Sequence, residues 1–560
     1  MPIRMTGLTS GLDTESIVSA LVSSYSTKTE KYKKSQTKLS WKQDAWKSVN
    51  TDVHDLYTLA GQMKFSSAYS LKKTTVSDAT KATVTASDSA PAGTRTLKIN
   101  KLAQSAYMTG GKVSYTTTTT VENEDGTKTE KETENPITKD TVLSNLKGIT
   151  LGSITTKDSD GKETSESATL FKVKVGTGDD AKTTQIKIGS TTKVSGLLSQ
   201  LNAAGLNASF DETQKRFYIS SKTSGAAGDF TIEADSDDPT NSAATIEALG
   251  LNVSSTDTDK KASKVEAQDS EIELNGVKYT SSGNDYNIDG LSITATQKTE
   301  GDGITITTNV DKQGIYDKIK DFFSKYNEVI NSINKLYNAD SAKDYEPLTD
   351  DEKAAMSDTE VEKWESKIKS ALLRKDSTLG DIISSMNSAM QGQFTVGATT
   401  VEEKDENGNT VKKTEGGTKM SLVSDFGIHT LSYFVVEDNE NYAFHIDGDE
   451  DDASVSGNTD KLMAAINKDP DQVIDFMKAL SSNLYDKLGA KMKSTSLSSA
   501  YTIYNDKEMA SEYSDYTTLI SKWESKLEDM EDAYYKKFST MESALTKMQS
   551  STSSLSGMLG

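Results

Sequence analysis

Two long heptad patterns stand near the two ends of this chain, with residues 64 to 519 between them. Val18, Tyr25, Tyr32, Leu39, Trp46, Val53 and Ala60 recur every seven residues, and Leu21, Val49, Leu56 and Met63 occupy the second seam position. At the other end Ile520, Leu527, Tyr534, Met541, Met548 and Leu555 form one row, with Trp523, Met530, Ala544 and Met558 in most of the second. A seven-residue apolar repeat specifies a long helix that has to bury its stripe against other helices. Lys28, Ser35 and Lys42 interrupt the N-terminal stripe, so it makes a poor coiled coil by itself. The two ends are therefore expected to pair, closing everything between them into one excursion. Both stripes read as core helices of one bundle or as helices that also mediate assembly, and their far-end positions favour assembly. The first helix starts with Gly11 in a turn, Asp13 as the expected N-cap of the Ser16 N–H, and Glu15 in the first turn, where the helix dipole favours negative charge.

Between about Leu71 and Asp311 the texture changes to alternating Thr, Val and Ile punctuated by Gly, Asn and Asp, the pattern of strands. "TLKINKLA", "EIELNGVKYT" and "LSITATQK" have strand period, and "VSGLLSQLNAAG" (Val194 to Gly205) is a short helix among them. "TTTTTVENEDGTKTEKETE" (Thr116 to Glu134) carries charge on both faces around Asp125-Gly126, which predicts an exposed hairpin or loop. Helical period returns at Ile315 to Asn338, then near Thr359 to Arg374, Thr378 to Met390, Asp460 to Asn467 and Asp471 to Leu488. Two β insertions are expected among these helices, one around an Asn407-Gly408 turn and one over "TLSYFVVEDNENYAFHIDGDE". The fold class expected is α+β multidomain, with paired terminal helical legs carrying inserted β-rich heads. Its divisions are 1–45 plus 515–560 as the coiled-coil leg, 46–70 plus 312–514 as a helical leg domain with β insertions, 71–115 plus 262–311 as the first head, and 116–261 as the second.

Chemistry is hard to find. There is no cysteine, which excludes disulfides, thiolate metal sites and a thiol nucleophile. The three histidines, His54, His429 and His445, have no zinc-type spacing. "DGDEDD" (Asp447 to Asp452) alternates carboxylates, but the sixth and twelfth positions of a calcium loop would be Asp452 and Asn458 where Gly and Glu are needed, so a solvated acidic turn is expected. "GTGDD" (Gly176 to Asp180) lies among strands without the helix that would cradle a phosphate, and no GxSxG or GxxxxGK[ST] occurs. With 84 acidic residues, paired carboxylates discriminate nothing, and no enzyme activity, cofactor or metal is expected. A net charge of -21 argues against nucleic acid and anionic membranes as partners. The apolar fraction of 34% suits elongated thin domains better than one thick core. No apolar run is long enough to span a membrane and no cleavable signal is seen, which alone would indicate the cytoplasm.

"GLTSGLDTESIVSALV" (Gly7 to Val22), "PAGTRTLKINKLAQSA" (Pro91 to Ala106), "VSGLLSQLNAAGLNASFDETQKRFYISSKTSGAAG", "FFSKYNEVINSI", the block Tyr345 to Asp376, "SLVSDFGI" and "YKKFSTMESALTKMQSSTSSLSGML" occur in the order in which similar stretches occur in the flagellar cap family. The chain resembles that family over nearly its whole length, and Val194 to Gly228 is similar to the small α/β repeat of hook-associated proteins and some flagellins. The resemblance implies a structural assembly factor, a homo-oligomeric ring with pentamer the expected size. It would sit at the distal tip of the bacterial flagellar filament, where it promotes flagellin insertion and prevents leakage. Partners implied are flagellin, the filament tip, the flagellar type III export apparatus and a dedicated chaperone. Export without a cleaved signal would place the protein outside the cell despite the missing leader. On this reading Val18, Leu21, Tyr25, Leu39, Trp46, Leu527, Met541 and Leu545 carry the oligomer and filament contacts. The alternatives are a tip-located adhesin binding mucin or a host surface, and another axial protein such as a hook-filament junction protein. The charged inserts 116–134 and 401–417 are less familiar, and their role is open.

Overall fold

The computed structural model describes residues 11–559 except 124–125, 158–162, 405–409, 433 and 436–438. The two expected turns at Asp125-Gly126 and Asn407-Gly408 thus fall wholly or partly outside the described residues. Helix α1 (Thr14–Met63) leads into β1 (Lys72–Val76), β2 (Ala82–Ala86), β3 (Gly93–Lys101), β4 (Tyr107–Thr109), β5 (Thr116–Glu122), β6 (Lys128–Glu134), β7 (Gly152–Lys157), β8 (Glu163–Val175) and β9 (Lys182–Gly189). There follow α2 (Val194–Ala203), β10 (Leu206–Asp211), β11 (Arg216–Ser221), β12 (Phe230–Ala234), α3 (Pro239–Ala248), β13 (Ser263–Val265), β14 (Ser270–Leu274), β15 (Val277–Ser281), β16 (Asp285–Ile288), β17 (Leu291–Ala295) and β18 (Ile304–Val310). The chain returns through α4 (Lys312–Tyr337), α5 (Asp350–Ala354), α6 (Asp358–Ser370), α7 (Ser377–Met390), β19 (Phe394–Val396), β20 (Thr399–Lys404), β21 (Thr410–Glu415), β22 (Thr418–Met420), α8 (Leu422–Phe426), β23 (Ile428–His429), β24 (His445–Ile446), α9 (Lys461–Lys468), α10 (Pro470–Lys491) and α11 (Asp506–Leu559). This is the α+β, terminal-helix and inserted-β class that the texture predicts. Contacts gather into two compact units: residues up to Leu71 together with those from Asp311 on, and the insertion Lys72–Val310.

The insertion contains two cores. In the first, Leu97, Ile99, Ile272, Ile293 and Ile306 come from the sheets β1-β18-β3-β14-β15 and β16-β17-β2. Alternation puts the apolar side chains of both sheets on one shared side, and Asn275 and Gly276, at φ 49° and 84°, turn β14 into β15. The second core joins α2 and the sheets β10-β11-β4-β13 and β12-β8-β7, with β9 on β8. Ala106, Met108, Val113 and Ala262 are buried there. Residues 103–115 and the strand at Ser263–Val265 therefore pack with the second head, and the divisions at 115 and 262 drawn from the sequence are corrected to the neighbourhood of Leu102 and Gln268. Strand alternation could not show this, because β4 and β13 are only three residues long. Backbones close tightly at this core: a Cβ on Gly111 would lie 2.1 Å from the Lys260 carbonyl oxygen, so only glycine fits.

In the helical unit local chemistry starts the helices, including the short α5 that the periodicity does not predict. Asp311 caps α4 through the Gly314 N–H at 3.0 Å, Thr349 with Glu352 and Ser357 with Glu360 form capping boxes on α5 and α6, and Asp469-Pro470 opens α10. Ile319, Phe322, Phe323, Tyr326, Val329, Ile330 and Ile333 of α4 are all buried, as their spacing requires. The expected β insertion over residues 430–450 is different: only Ile428–His429 and His445–Ile446 pair. Amides of α4 hold two further points of the segment. Asn327 donates to the Phe444 carbonyl and accepts from its N–H, both at 2.7 Å, and Asn334 donates to the Asn439 carbonyl at 3.0 Å. Phe444 is buried against a helix rather than a strand, packing on Phe323 and Tyr326, whereas Phe434 is 93% exposed.

The acidic turn is a further correction, since it is an ionic knot rather than a solvated loop. Lys320 of α4 reaches Asp449 and Asp451 at 2.6 and 2.5 Å, His429 bonds Asp447 at 3.1 Å, and His445 bonds Asp452 at 2.6 Å. Burial works hardest on Asp447 and favours the protonated form, but Asn458 and His429 together hold its carboxyl below the usual range. Asp452 behaves the same way through His445 and the Ser454 N–H, again against burial. Both folded-state values are depressed, so the stability they contribute is present above the unfolded value of 3.8 and is lost as pH falls through the folded values. Limited proteolysis across a pH series should find segment 427–458 protected from neutral pH down to about 5 and cleaved progressively faster below about 4. Cleavage that does not accelerate below about pH 4 would show that the knot does not hold the segment.

Candidate assembly interface

The two terminal helices do pair. Reading up α1, contacts move down α11: Tyr25 meets Trp523 with ring centroids 6.1 Å apart, Tyr32 meets Tyr516 at 6.4 Å, and the Gln36 amide donates to Thr517 Oγ1 at 2.7 Å. Beyond these, Trp46 stacks on Tyr504 at 5.5 Å and 10°. The pairing is antiparallel, and Lys33 to Glu524 at 2.6 Å adds an exposed ion pair of small energetic weight. The second half of α1 leaves α11 and packs on α10 and α4.

The helix begins at Asp13, whose carboxylate accepts the Ser16 N–H at 3.1 Å and the Ser16 hydroxyl at 2.6 Å. The Ser16 hydroxyl, then its N–H, holds that carboxyl below the usual range. Val18, Leu39 and Trp46 are buried inside this one chain, so their part is intramolecular closure. Tyr25 is half-buried against Trp523, and Leu527, Met541 and Leu545 are half-buried along α11. Leu21 is 45% exposed and stands outside the α1–α11 seam. The buried second row is Val22 and Thr29, followed by half-buried Gln36, one position later than a uniform heptad count gives; only from Trp46 on do Val49, Leu56 and Met63 follow the counted phase. The phase changes where the partner changes from one helix to several, and a heptad count made on α1 alone carries no signal of that change.

The interruption expected from Lys28, Ser35 and Lys42 is present in another form. Lys28 lies over the Trp523 ring at 4.5 Å and Lys42 pairs with Asp376 at 3.2 Å, both beside the seam. Inside the seam, Thr29 spends its hydroxyl on the Tyr25 carbonyl and Gln36 on Thr517. Rings, a threonine and an amide thus stand where a strong coiled coil has aliphatic side chains. At the far end of α11 the stripe reaches solvent, with Met548 67% and Leu555 61% exposed. Among the described residues no group of three metal-ligating side chains forms, and no helix is long and apolar enough to cross a membrane.

Helical legs at both ends of the sequence around a β insertion can now be compared with known proteins. A family model described as flagellar hook-associated protein 2 C-terminus matches residues 267–550, and the corresponding N-terminus model matches residues 10–106. The chain belongs to the flagellar hook-associated protein 2 family. With that membership comes a structural, filament-capping role at the bacterial flagellum. The chain is similar to flagellar hook-associated protein 2 of Halalkalibacterium halodurans, 23% identical, with 99% of each chain covered. It is likewise similar to that of Thermotoga maritima, 24% identical, over 99% of this chain and 95% of the other. Among solved structures it resembles the Escherichia coli flagellar cap protein D1-D2-D3 domains at 18% identity, covering 79% of this chain and 95% of that one, with a TM-score of 0.42.

Trp46, 2% exposed and stacked on Tyr504, is a fully buried contact of the closure. Trp46→Ala should destabilise the helical unit by about 3–5 kcal/mol in denaturant unfolding, and Leu21→Ala by less than about 0.5 kcal/mol. Equal effects of the two substitutions would contradict this division of the stripe.

Proposed function

We propose that the chain caps the distal filament tip as a homo-oligomeric ring, a pentamer in the reading favoured here, after export through the flagellar type III apparatus with a dedicated chaperone. The β heads form the plate over the tip, and the α1–α11 pairs are the legs that touch the filament end. The work is steric: the ring confines exported flagellin at the growing end until it joins the lattice. The observation that carries this reading is the composition of the leg seam. A pair joined by Tyr25, Thr29, Tyr32 and Gln36 against Trp523, Tyr516 and Thr517 buries less aliphatic surface than a coiled coil of the same length. It can open and close as each subunit passes, and weak contacts dissociate fast enough to be remade at every addition. The apolar stripe of α11 that ends in exposed Met548 and Leu555 offers the surface on which a filament subunit or a neighbouring cap chain lands.

Restoration of filaments to cap-deficient cells tests the leg. Replacing Leu527, Met541 and Leu545 with Asp puts charge into the apolar stripe. It should abolish filament growth and leave flagellin in the medium, while circular dichroism still reports folded β heads. Normal filaments from that variant would refute the leg.

A further inference from the structure

The second head presents a sheet face that stands apart from the rest of this acidic surface. The strands β10, β11, β4 and β13 turn Phe210, Phe217, Ile219 and Met108 into the core. Their opposite side chains form two rows across all four strands. The register places Asn207, Ser220, Tyr107 and Val265 in one row, and Ser209, Tyr218, Thr109 and Ser263 in the next. None of the eight is charged, in a chain with 26% charged residues and a net charge of -21. Tyr107 and Val265 are 42% and 46% exposed, and the rings of Tyr107 and Tyr218 lie 6.5 Å apart. Among the described residues the hydroxyls and the amide of this face have no hydrogen-bond partner in the chain. Tyrosine with serine, threonine and asparagine is the composition of surfaces that bind protein through rigid rings and adaptable polar groups.

A second charge-poor β surface belongs to the same unit. Strands β5 and β6 form an isolated two-stranded ribbon whose described side chains are all exposed except half-buried Thr116. Such a ribbon is marginal without something to pack on. One of its faces is directed inward by ion pairs, Glu132 to Lys147 at 2.8 Å and Glu134 to Lys215 at 2.6 Å. By alternation the other face carries Thr117, Thr119, Val121, Thr129, Lys131 and Thr133, with one charge among six residues.

We infer that the β5–β6 ribbon of one copy of this chain lies on the sheet face of the next, Val121 and its threonines against Tyr107 and Tyr218, and that this is a subunit contact of the ring. The inference rests on the oligomeric cap reading and gives it a contact. Two copies with a charge of -21 each repel one another, so they approach where both surfaces lack charge. The ribbon and the face are different patches, which makes the contact head-to-tail and able to close into a ring. Size points the same way. Four strands about 4.8 Å apart and two rows of side chains cover under roughly 300 Å², against about 800 Å² per partner in a stable pair. A lone pair is held weakly, and a closed ring, where every copy makes the contact twice, is held better.

Light scattering of the full chain over a concentration series tests this with two variants. Tyr107→Asp with Tyr218→Asp spoils the face, and Thr119→Asp with Val121→Asp spoils the ribbon. Each alone should weaken assembly by at least about tenfold with an unchanged circular dichroism spectrum. If the aspartates disturb the head, Tyr107→Ser with Tyr218→Ser removes the rings without adding charge and should also weaken assembly. Mixed in equal amounts, the two Asp variants retain one intact ribbon and one intact face, a single contact too small to hold a stable pair and unable to close, so the mixture should form no rings. Rings from either Asp variant alone, or from their mixture, would overturn the contact and leave the ring reading standing. A wild-type chain that is monomeric at every concentration would overturn the ring reading, and the contact with it.

Discussion

The helical unit depends on one antiparallel closure, α1 against α11. It is made by residues hundreds of positions apart, so the first half of α1 waits for the whole β insertion and the intervening helices before α11 reaches it, whereas its second half packs on α4 and α10. Contacts of such sequence separation carry a large loop-closure cost before they return any stability. What offsets that cost is concentrated near the middle of α1, where Trp46 stacks on Tyr504 and the Asn50 side chain accepts the Ile503 N–H at 2.9 Å. Toward the start of α1 the seam weakens into rings and hydrogen bonds. The pair is thus packed most firmly around Trp46 and joined by rings and hydrogen bonds toward the start of α1.

How much of this could be read beforehand follows from which interactions are periodic. Val18, Tyr25, Leu39 and Trp46 were legible because burial on one helix face forces a repeat. The second row was counted one residue early at Leu21, since the count assumed one partner along the whole helix, whereas Val22 and Thr29 face α11 and Val49 and Leu56 face a bundle. Asp13 was legible as a cap because capping is local. Lys320 was not legible as the partner of Asp449 and Asp451, because nothing near either acid announces a lysine more than a hundred positions earlier. Phe444 has the alternation of a strand with Ile446, yet while Ile446 pairs with Ile428, the backbone of Phe444 is met by the Asn327 amide of α4 in place of a neighbouring strand. The family resemblance, carried by the order of short stretches along the chain, survived all of these local differences.

The heads follow another rule. Each of their two cores is closed by short strands from both ends of the insertion, so a boundary drawn by texture misses residues such as Met108 and Ala262 that complete a distant core. Charge then separates the outer surfaces. Lysine and carboxylate pairs such as Lys147 with Glu132 occupy the exposed flanks, and the charge-free rows stay on the sheet. A strongly acidic protein that has to gather into an assembly needs such neutral areas, and their size limits how tightly any two copies can hold.

One connection has a consequence for how such a chain can vary. The insertion leaves the helical unit after Leu71 and returns at Asp311, where the Asp311 N–H donates to the Leu71 carbonyl at 2.9 Å and Lys72 lies opposite Val310 in the first pair of the sheet. Exit and entry are one ladder step apart. The helical unit therefore meets the same two strand ends whatever is threaded between them, and the head can lengthen, shorten or acquire ribbons such as β5–β6 without altering the geometry at which the leg has to close. Variation in the inserted head and constancy in the helical closure become separable traits of a single polypeptide.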